Sequence, residues 1–185
     1  MDIARDLMLA QQALATLFSV TNKLQMRGDK QLRDITLRQM LAIPALLHAP
    51  DGKATITHIA RHMGTTKQNA KQIVAAMARK GYLSVAPSGQ DRRAVNVNVT
   101  PEGERAFRVC AERVDEFMAN IFRTFGTEEL EAFCSLLQKL YRFDGAAPEV
   151  PDEHLCHSGI AADEVLRHHQ RFTRLRANPD AKESE

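Results

Sequence analysis

The chain has 185 residues, of which 44% are hydrophobic, and a formal net charge of +2. This length suits one domain with a small extension, and the apolar fraction is enough for a buried core. Cys110, Cys134 and Cys156 make an odd count without paired spacing, which argues against a disulfide scaffold and favours a reducing compartment. The N-terminal segment lacks the pattern of a signal peptide, and no run approaches the roughly 18 apolar residues of a membrane span. We therefore expect a soluble, cytoplasmic protein with no membrane association.

The first 27 residues predict a helix with a narrow apolar seam, which Gly28-Asp29 should end. A second helix is predicted from Thr36 to about His48, and Pro44 inside it should kink or break it, because the proline ring clashes with the carbonyl of residue 40. The seam of the first helix recurs at alternating spacings of four and three residues, a pattern typical of packing against another helix: Ile3, Leu7, Ala10, Leu14, Leu17, Thr21 and Leu24.

Two short helices joined by a tight turn are predicted next. Thr55 has the position of an N-cap, and Gly64 fits the residue that ends the first of these helices. Thr66 can cap the second helix, which Gly81 should end. Two helices connected in this way are typical of a helix-turn-helix.

A β-hairpin is predicted directly after the second of these helices. Val95, Val97 and Val99 alternate with asparagines, the pattern of a strand with one buried face. Residues 82–86 should form the other strand, and residues 87–90 the turn, where proline and glycine supply the geometry.

Two further helices and a polar tail complete the chain. Thr100-Pro101-Glu102 is a strong helix start, and this helix should run to about Phe125. The next helix should begin at Thr127-Glu128-Glu129. Residues 145–185 are interpreted as a polar extension that begins with a linker, contains a helix at 161–175 and is partly disordered, particularly over 178–185. The apolar residues expected to face inward from the last two main helices are Phe107, Cys110, Val114, Phe117, Ile121, Phe125, Leu130, Phe133, Leu137 and Leu140.

The charge is segregated along the chain. Residues 53–100 contain eight lysines and arginines and one acid, a balance of +7, whereas the remaining residues carry 17 basic and 22 acidic groups, a balance of −5. A positive segment in an otherwise acidic chain is typical of a protein that binds a polyanion.

The predicted fold is mainly α-helical with a small β-hairpin wing. Residues 31–100 form the predicted winged helix-turn-helix, the DNA-binding domain, and residues 1–30 and 101–144 form a helical dimerisation region. The outer helices carry more apolar surface than the basic segment could cover, so burial between two chains is the simplest solution.

Several segments resemble the MarR-type transcriptional regulators. The run Asp91-Arg92-Arg93-Ala94, followed by Val99-Thr100 and Gly103, is similar to the family's wing. Residues 59–67 resemble its helix-turn-helix opening, and residues 77–83 the segment that leads into the wing. The resemblance covers residues 3 to about 143; Pro44 and the tail depart from it. It implies a homodimer that binds a pseudo-palindromic operator in double-stranded DNA, with control by a small-molecule effector or by oxidation in many members. We expect the protein to act as a repressor.

The helix that Thr66 caps has a polar face opposite its apolar positions. Glutamine and asparagine can hydrogen-bond adenine, and lysine can reach guanine or phosphate. The resemblance further implies that Arg93 enters the minor groove, that Asp91 holds it in place, and that Arg92 contacts phosphate. The expected DNA-binding residues are Thr66, Lys67, Gln68, Asn69, Lys71, Gln72, Asp91, Arg92 and Arg93.

Alternatives from other classes stay open. A metal-responsive regulator would use ligand-type residues of the tail: Asp152, Glu153, His154, Cys156, His157, Glu164, His168 and His169. Their spacing matches no established metal site, and we predict no metal and no cofactor. A redox sensor would use a cysteine, but Cys110 and Cys134 fall on apolar helix faces where burial is usual. A third alternative is a winged-helix module that contacts protein. No arrangement typical of catalysis is present, so an enzyme is not expected.

Overall fold

The computed structural model describes residues 3–47, 49, 54–87, 95–145 and 162–177. Its elements, in chain order, are α1 (Ile3–Leu32), α2 (Leu37–Leu47), β1 (Ala54–Thr55), α3 (Ile56–His62), α4 (Lys67–Arg79), β2 (Leu83–Pro87), β3 (Val95–Val99), α5 (Pro101–Ile121), α6 (Thr127–Tyr141), a 3₁₀ turn (Arg142–Asp144) and α7 (Ala162–Ala177). None of the helices in these ranges is long and apolar enough to cross a membrane. The mainly helical fold with a small antiparallel sheet confirms the predicted fold class.

Helix α1 is longer than the sequence predicted, because it continues through Gly28-Asp29 to Leu32. Gly28 is buried against α2, and a Cβ at this position would lie 3.0 Å from Cδ2 of Leu37. Asp29 accepts a hydrogen bond from the backbone N–H of Leu37 at 2.7 Å, so its carboxylate satisfies a donor at the start of α2. Gly28 and Asp29, which were expected to end α1, therefore connect α1 to α2. The helix ends instead near Arg33, whose φ is 62°.

Helix α2 confirms the predicted second helix but not its disruption. Thr36 and Gln39 form reciprocal hydrogen bonds at its start: the N–H of Gln39 donates to Thr36 Oγ1 at 3.2 Å, and the N–H of Thr36 donates to Gln39 Oε1 at 3.1 Å. The helix is continuous from Leu37 to Leu47 with Pro44 inside it. Of the predicted kink or break at Pro44, the break was wrong, and the burial of Ile43 and Ala45 on either side of the proline helps to keep the helix continuous. The kink stays a prediction.

The sheet has three strands in the order β1-β3-β2, one more than the predicted hairpin. β1 is two residues long and pairs antiparallel with β3, with Ala54 opposite Val97. β2 pairs with the other edge of β3, with Leu83 opposite Val99 and Pro87 opposite Val95. Pro87 thus belongs to an edge strand rather than to the turn, a position where its missing N–H is tolerated.

The core lies between α2, α3, α4, the sheet and one face of α5. Its residues are contiguous and come from every one of these elements. The members with exposure of 1% or less are Leu32, Ile35, Ala42, Ala45, Ala54, Ile59, Ala70 and Met77.

The two helices after the sheet differ in how much of their surface this chain covers. α5 begins at the predicted cap and buries Phe107, Cys110 and Phe117, but it ends at Ile121 and not at Phe125. α6 has no buried residue. The prediction that Phe133, Leu137 and Leu140 face inward is wrong within one chain, because all three side chains are exposed.

Helix α7 confirms the predicted helix in the tail and packs along α5. His168 Nδ1 lies 2.5 Å from Asp115 Oδ2, and Arg171 donates to Glu116 Oε1 at 2.9 Å. Arg176 donates to the backbone carbonyl of Phe125. The predicted linker, from residue 146, and the predicted disordered segment 178–185 lie outside the described residues.

Candidate nucleic-acid interface

Helix α4 is fixed by a cap at its start and a glycine after its end. Thr66 Oγ1 accepts a hydrogen bond from the N–H of Asn69 at 3.2 Å, which confirms the predicted N-cap. Lys80 is the C-cap residue, and Gly81 follows with φ 78°, where glycine has no steric cost. In the turn between α3 and α4, Gly64 has φ 58°, as expected for the residue that ends α3.

The apolar residues of α4 point into the core and leave a polar face outside. Ala70, Ile73, Val74 and Met77 are buried. A helix rises about 1.5 Å per residue, so the outward face from Lys67 to Arg79 is about 18 Å long. The exposed residues on this face are Lys67, Gln68, Lys71, Gln72, Ala75 and Arg79.

This outward face carries positive charge only. α4 contains Lys67, Lys71 and Arg79 and no acidic residue. Ala75 is small, so it leaves room for another surface to approach the middle of the helix. A polar, cationic face of this length can lie in the major groove of DNA, where lysine reaches phosphate or guanine and glutamine reaches adenine.

The sequence predicted six DNA-binding residues at this helix, and in the structure they differ in exposure and in hydrogen bonding. Lys67, Gln68, Lys71 and Gln72 are exposed. Asn69 is half-buried, and its Nδ2 donates to Thr65 Oγ1 at 2.8 Å, within the turn that connects α3 to α4.

Thr66, the sixth candidate, is exposed, but its hydroxyl oxygen already accepts the capping bond from the Asn69 N–H. Its hydroxyl hydrogen can still donate to an acceptor on a partner. Thr66 and Asn69 therefore help to hold the helix-turn-helix together, whatever else they contact.

The strands of the wing are placed by the structure, while its tip lies outside the described residues. β2 and β3 are described up to Pro87 and from Val95. Val97 is 2% exposed, and Val85, on the neighbouring strand, is 45% exposed. Asp91, Arg92 and Arg93, the three wing candidates, fall among residues 88–94, so their positions stay a prediction.

The base of the wing is attached directly to α5. Thr100 Oγ1 donates to the carbonyl of Gly81 at 2.6 Å and accepts from the N–H of Gly103 at 3.0 Å. The N–H of Thr100 also donates to the carbonyl of Tyr82 at 3.0 Å. One threonine thus caps α5 and binds the segment between α4 and β2, so the direction of the wing is tied to that of α5.

A second attachment, which sequence reasoning missed, also lies at the C-terminal end of α4. Lys80 Nζ donates to the carbonyl of Asp34, just beyond α1. Arg113 of α5 donates to the carbonyl of Leu32 at 3.1 Å, and its Nη1 lies 3.6 Å from the Asp34 carboxylate. These partners are separated by 46 and 81 positions in the chain, and no local pattern relates them.

The histidines of α3 lie close together on one side of that helix. The rings of His58 and His62 are 6.3 Å apart, as expected for positions i and i+4. Both residues are half-buried. Among the described residues, no group of three or more His, Cys, Asp or Glu side chains could hold a metal ion.

The cysteines and the tail histidines occupy different environments. Cys110 is 2% exposed, and burial raises the pKa of its thiol to about 11, so it is protonated near neutral pH. Cys134 is exposed, contrary to the burial predicted for it, because α6 buries no face in this chain. Cys156 and residues 152–157 lie outside the described ranges, as does the side chain of Glu164. His168 contacts Asp115.

The sequence of the helix-turn-helix and wing matches one known family. A model described as "MarR family" matches residues 33–94, which run from the end of α1 into the predicted wing tip. This region of the chain is similar to the MarR family. The chain is also similar to a curated protein, the "Transcriptional activatory protein BadR" of Rhodopseudomonas palustris (strain ATCC BAA-98 / CGA009). That protein is 25% identical over 150 residues, or 76% of this chain and 86% of BadR.

Solved MarR-type structures share this fold. The organohalide-sensing regulator RdhR-CbdbA1625, in its 2,4-dichlorophenol-bound form, aligns with a TM-score of 0.66 and 15% identity over 80% of this chain and 86% of its own. S. aureus MepR, in a complex with DNA, aligns with a TM-score of 0.63 and 20% identity over 69% of this chain and 94% of its own. At these identities the likeness establishes the fold alone, and it confirms the predicted winged helix.

Proposed function

We propose that this protein is a MarR-family regulator and binds an operator in double-stranded DNA as a homodimer, with α4 in the major groove and the wing beside it. The outward face of α4 carries this proposal, because it combines lysines and glutamines with no acid. The DNA-bound form of MepR, a protein of the same fold, supports it. In a twofold dimer the two copies of α4 would meet successive turns of the duplex, roughly 34 Å apart.

Within this interface we assign different roles to exposed residues of α4. Lys67 and Lys71 neutralise phosphate or bond guanine, and Gln68 and Gln72 bond base edges. Thr66, at the start of the helix, is placed to bond a phosphate with its hydroxyl hydrogen, and Asn69 supports the turn.

We assign roles to the three wing candidates from the resemblance of the wing to that of MarR-type regulators. Arg93 is assigned to the minor groove, where a narrow groove strengthens the attraction for arginine. Asp91 orients Arg93, and Arg92 bonds phosphate. These three assignments depend on residues outside the described ranges, so they are independent of those on α4.

The dimer is supported by the apolar surface that one chain leaves uncovered. On α1, Leu7 is 60% and Phe18 is 63% exposed, and on α6, Leu136 is 65% exposed. Exposed apolar side chains on two long helices form more apolar surface than a monomer normally leaves in water. A second copy of the chain, presenting the same helices across a twofold axis, would bury them.

The proposal also includes control by a small-molecule effector and action as a repressor. RdhR-CbdbA1625 is described in a form bound to 2,4-dichlorophenol, which supports control by a ligand in a protein of this fold. BadR is named an activatory protein, so the direction that we propose for this chain is opposite to the one in the name of this relative. Repression is our proposal for this chain.

Binding to the DNA upstream of the protein's own coding region tests the proposal. The full chain is titrated into a labelled duplex of that region, with a shuffled duplex of the same composition as competitor. We expect retardation that the specific duplex removes at lower concentration than the shuffled one. Equal competition by both duplexes would contradict sequence-specific binding there, and no retardation at low salt would contradict DNA binding itself.

A further inference from the structure

An open groove of about 420 Å³ lies between helices α5 and α7, and the proposed DNA interface does not use it. α7 lies in the tail, outside residues 33–94 that the family model matches. The groove is lined by polar side chains from both helices, including Arg108 and Glu112 of α5 and Arg167, His168, Arg171 and Arg174 of α7.

The lining of the groove is rich in guanidinium groups. Four arginines and one carboxylate line it, and Asp115, Glu116 and Asp163 contact lining residues at its edge. Guanidinium groups present planar pairs of N–H donors, which match the oxygens of a phosphate or carboxylate. Because the arginines come from two helices, one anion between them would contact both sides of the groove.

Neighbouring carboxylates hold part of this lining in place. Arg171 is 17% exposed and bonds Glu116, and His168 is 20% exposed and contacts Asp115. These contacts fix the groove wall on the α7 side before any ligand arrives, which lowers the ordering cost of binding.

The pair of Arg167 and Asp163 is different, because both side chains are about two-thirds exposed and their charged atoms are 3.4 Å apart. An exposed pair of this kind contributes little free energy, so Arg167 can exchange its carboxylate for a ligand oxygen.

We propose that this groove binds a small compound with two or more anionic oxygens, such as a phosphate ester or a dicarboxylate. The volume lies in the range of small-molecule sites, and the concave shape favours a compact anion over the extended backbone of DNA. Arg108 on α5 and Arg174 on α7 would bond the anion from the two sides of the groove. Binding would fasten α7 to α5, the helix that also carries the base of the wing.

Calorimetric titration of the full chain without DNA tests this site. Inorganic pyrophosphate and citrate serve as probes for the phosphate and carboxylate sources, with sodium chloride added to keep the ionic strength constant. We expect saturable binding of at least one probe at one site per chain. Arg108→Gln and Arg174→Gln should each weaken it about tenfold or more, the effect of losing roughly 1.4 kcal/mol.

Two control variants locate the binding. Arg105→Gln removes the same charge from an exposed position of α5 outside the groove lining and should leave the affinity within about twofold, since it loses only long-range attraction. Lys71→Gln should also leave it unchanged. Absence of saturable heat with both probes, or equal losses in Arg105→Gln and Arg108→Gln, would overturn the proposal. A loss only in Lys71→Gln would assign the anion to the DNA interface, so failure here and failure of DNA binding are distinguishable.

Discussion

Gly103, in the first turn of α5, lies directly against the backbone of Tyr82 at the base of the wing. A Cβ at position 103 would overlap the carbonyl oxygen of Tyr82 and lie 2.9 Å from its carbonyl carbon. This contact lets α5 approach the wing closely enough for Thr100 to bond both Gly81 and Tyr82. The geometry of the wing thus depends on a position where no side chain fits.

Gly103→Ala should destabilise the chain, because backbone atoms obstruct the methyl group and cannot rotate away. We expect the free energy of unfolding to fall by about 1–3 kcal/mol, the usual cost of overpacking. Chemical unfolding followed by circular dichroism measures this. Gly126→Ala is the matched control, since its Cβ would meet only Glu129 Oε2 at 3.7 Å. Similar losses in both variants would contradict the account of this contact.

Arg113→Ala tests the attachment of α1 to α5. The substitution removes the donor that satisfies the carbonyl of buried Leu32, so we expect a loss of about 1–3 kcal/mol in the free energy of unfolding. Arg105→Ala, a charge removal on the exposed side of the same helix, should change it by less than about 0.5 kcal/mol. A stability equal to that of the control would show that the Leu32 carbonyl does not depend on Arg113.

Asp115 gives the contact between α5 and α7 a pH dependence. Burial raises the pKa of this carboxyl above its ordinary 3.8, and the bond and charge of His168 oppose only part of the rise. A raised pKa in the folded state means that the stability contributed by the protonated form is present at low pH and lost as the pH increases. The stability is therefore lost over the pH range that begins near the ordinary pKa of 3.8 and extends up through the raised pKa of the folded state.

Asp115→Asn should remove that loss, since an amide has no charge to bury and its oxygen still accepts from His168. The stability of the variant relative to the wild type should therefore rise as the pH is raised through this window. Unfolding midpoints in urea at successive pH values measure the difference, with Glu131→Gln on exposed α6 as control. A difference that is constant with pH would contradict the proposed origin of the pKa shift.

The proposed dimer interface is tested on α1. Leu14 is 55% exposed in one chain, so Leu14→Glu would be tolerated by a monomer, but it would place an unpaired charge in a dimer interface. We expect the molar mass from light scattering to fall toward that of one chain, 20.7 kDa. Gln12→Glu adds the same charge to the same helix at an exposed position. A dimer that survives Leu14→Glu with unchanged mass would remove this residue from the interface.

Local chemistry explains which parts of the fold and site could be predicted from the sequence. Thr55, Thr66 and Thr100 cap the helices that follow them, because a hydroxyl three residues before a free N–H is a short-range relationship. The positions of Gly64 and Gly81 follow from the same local geometry. These features were enough to place the lysines and glutamines of α4 on an outward face.

The features that sequence reasoning missed depend on contacts between distant residues. Gly28 looked like a terminator, but the nearby side chain of Leu37 accounts for a glycine there. β1 is only two residues long and exists through its pairing with β3. Asp115 and His168 are 53 positions apart, so the packing of α7 on α5 had no local signal.

The salt dependence of operator affinity, measured for the wild type and Lys71→Gln, tests the central claim most directly. Removal of one phosphate contact from each half of a dimer should flatten the slope of log affinity against log salt by roughly 0.9 per contact, or about two units in all. Lys139→Gln, an exposed lysine of α6, is the control and should keep the wild-type slope. Gln72→Ala keeps the charge, so its slope should also hold, while discrimination among operator bases relaxes by about 1–3 kcal/mol. An unchanged slope and affinity for Lys71→Gln would contradict the placement of the outward face of α4 on DNA.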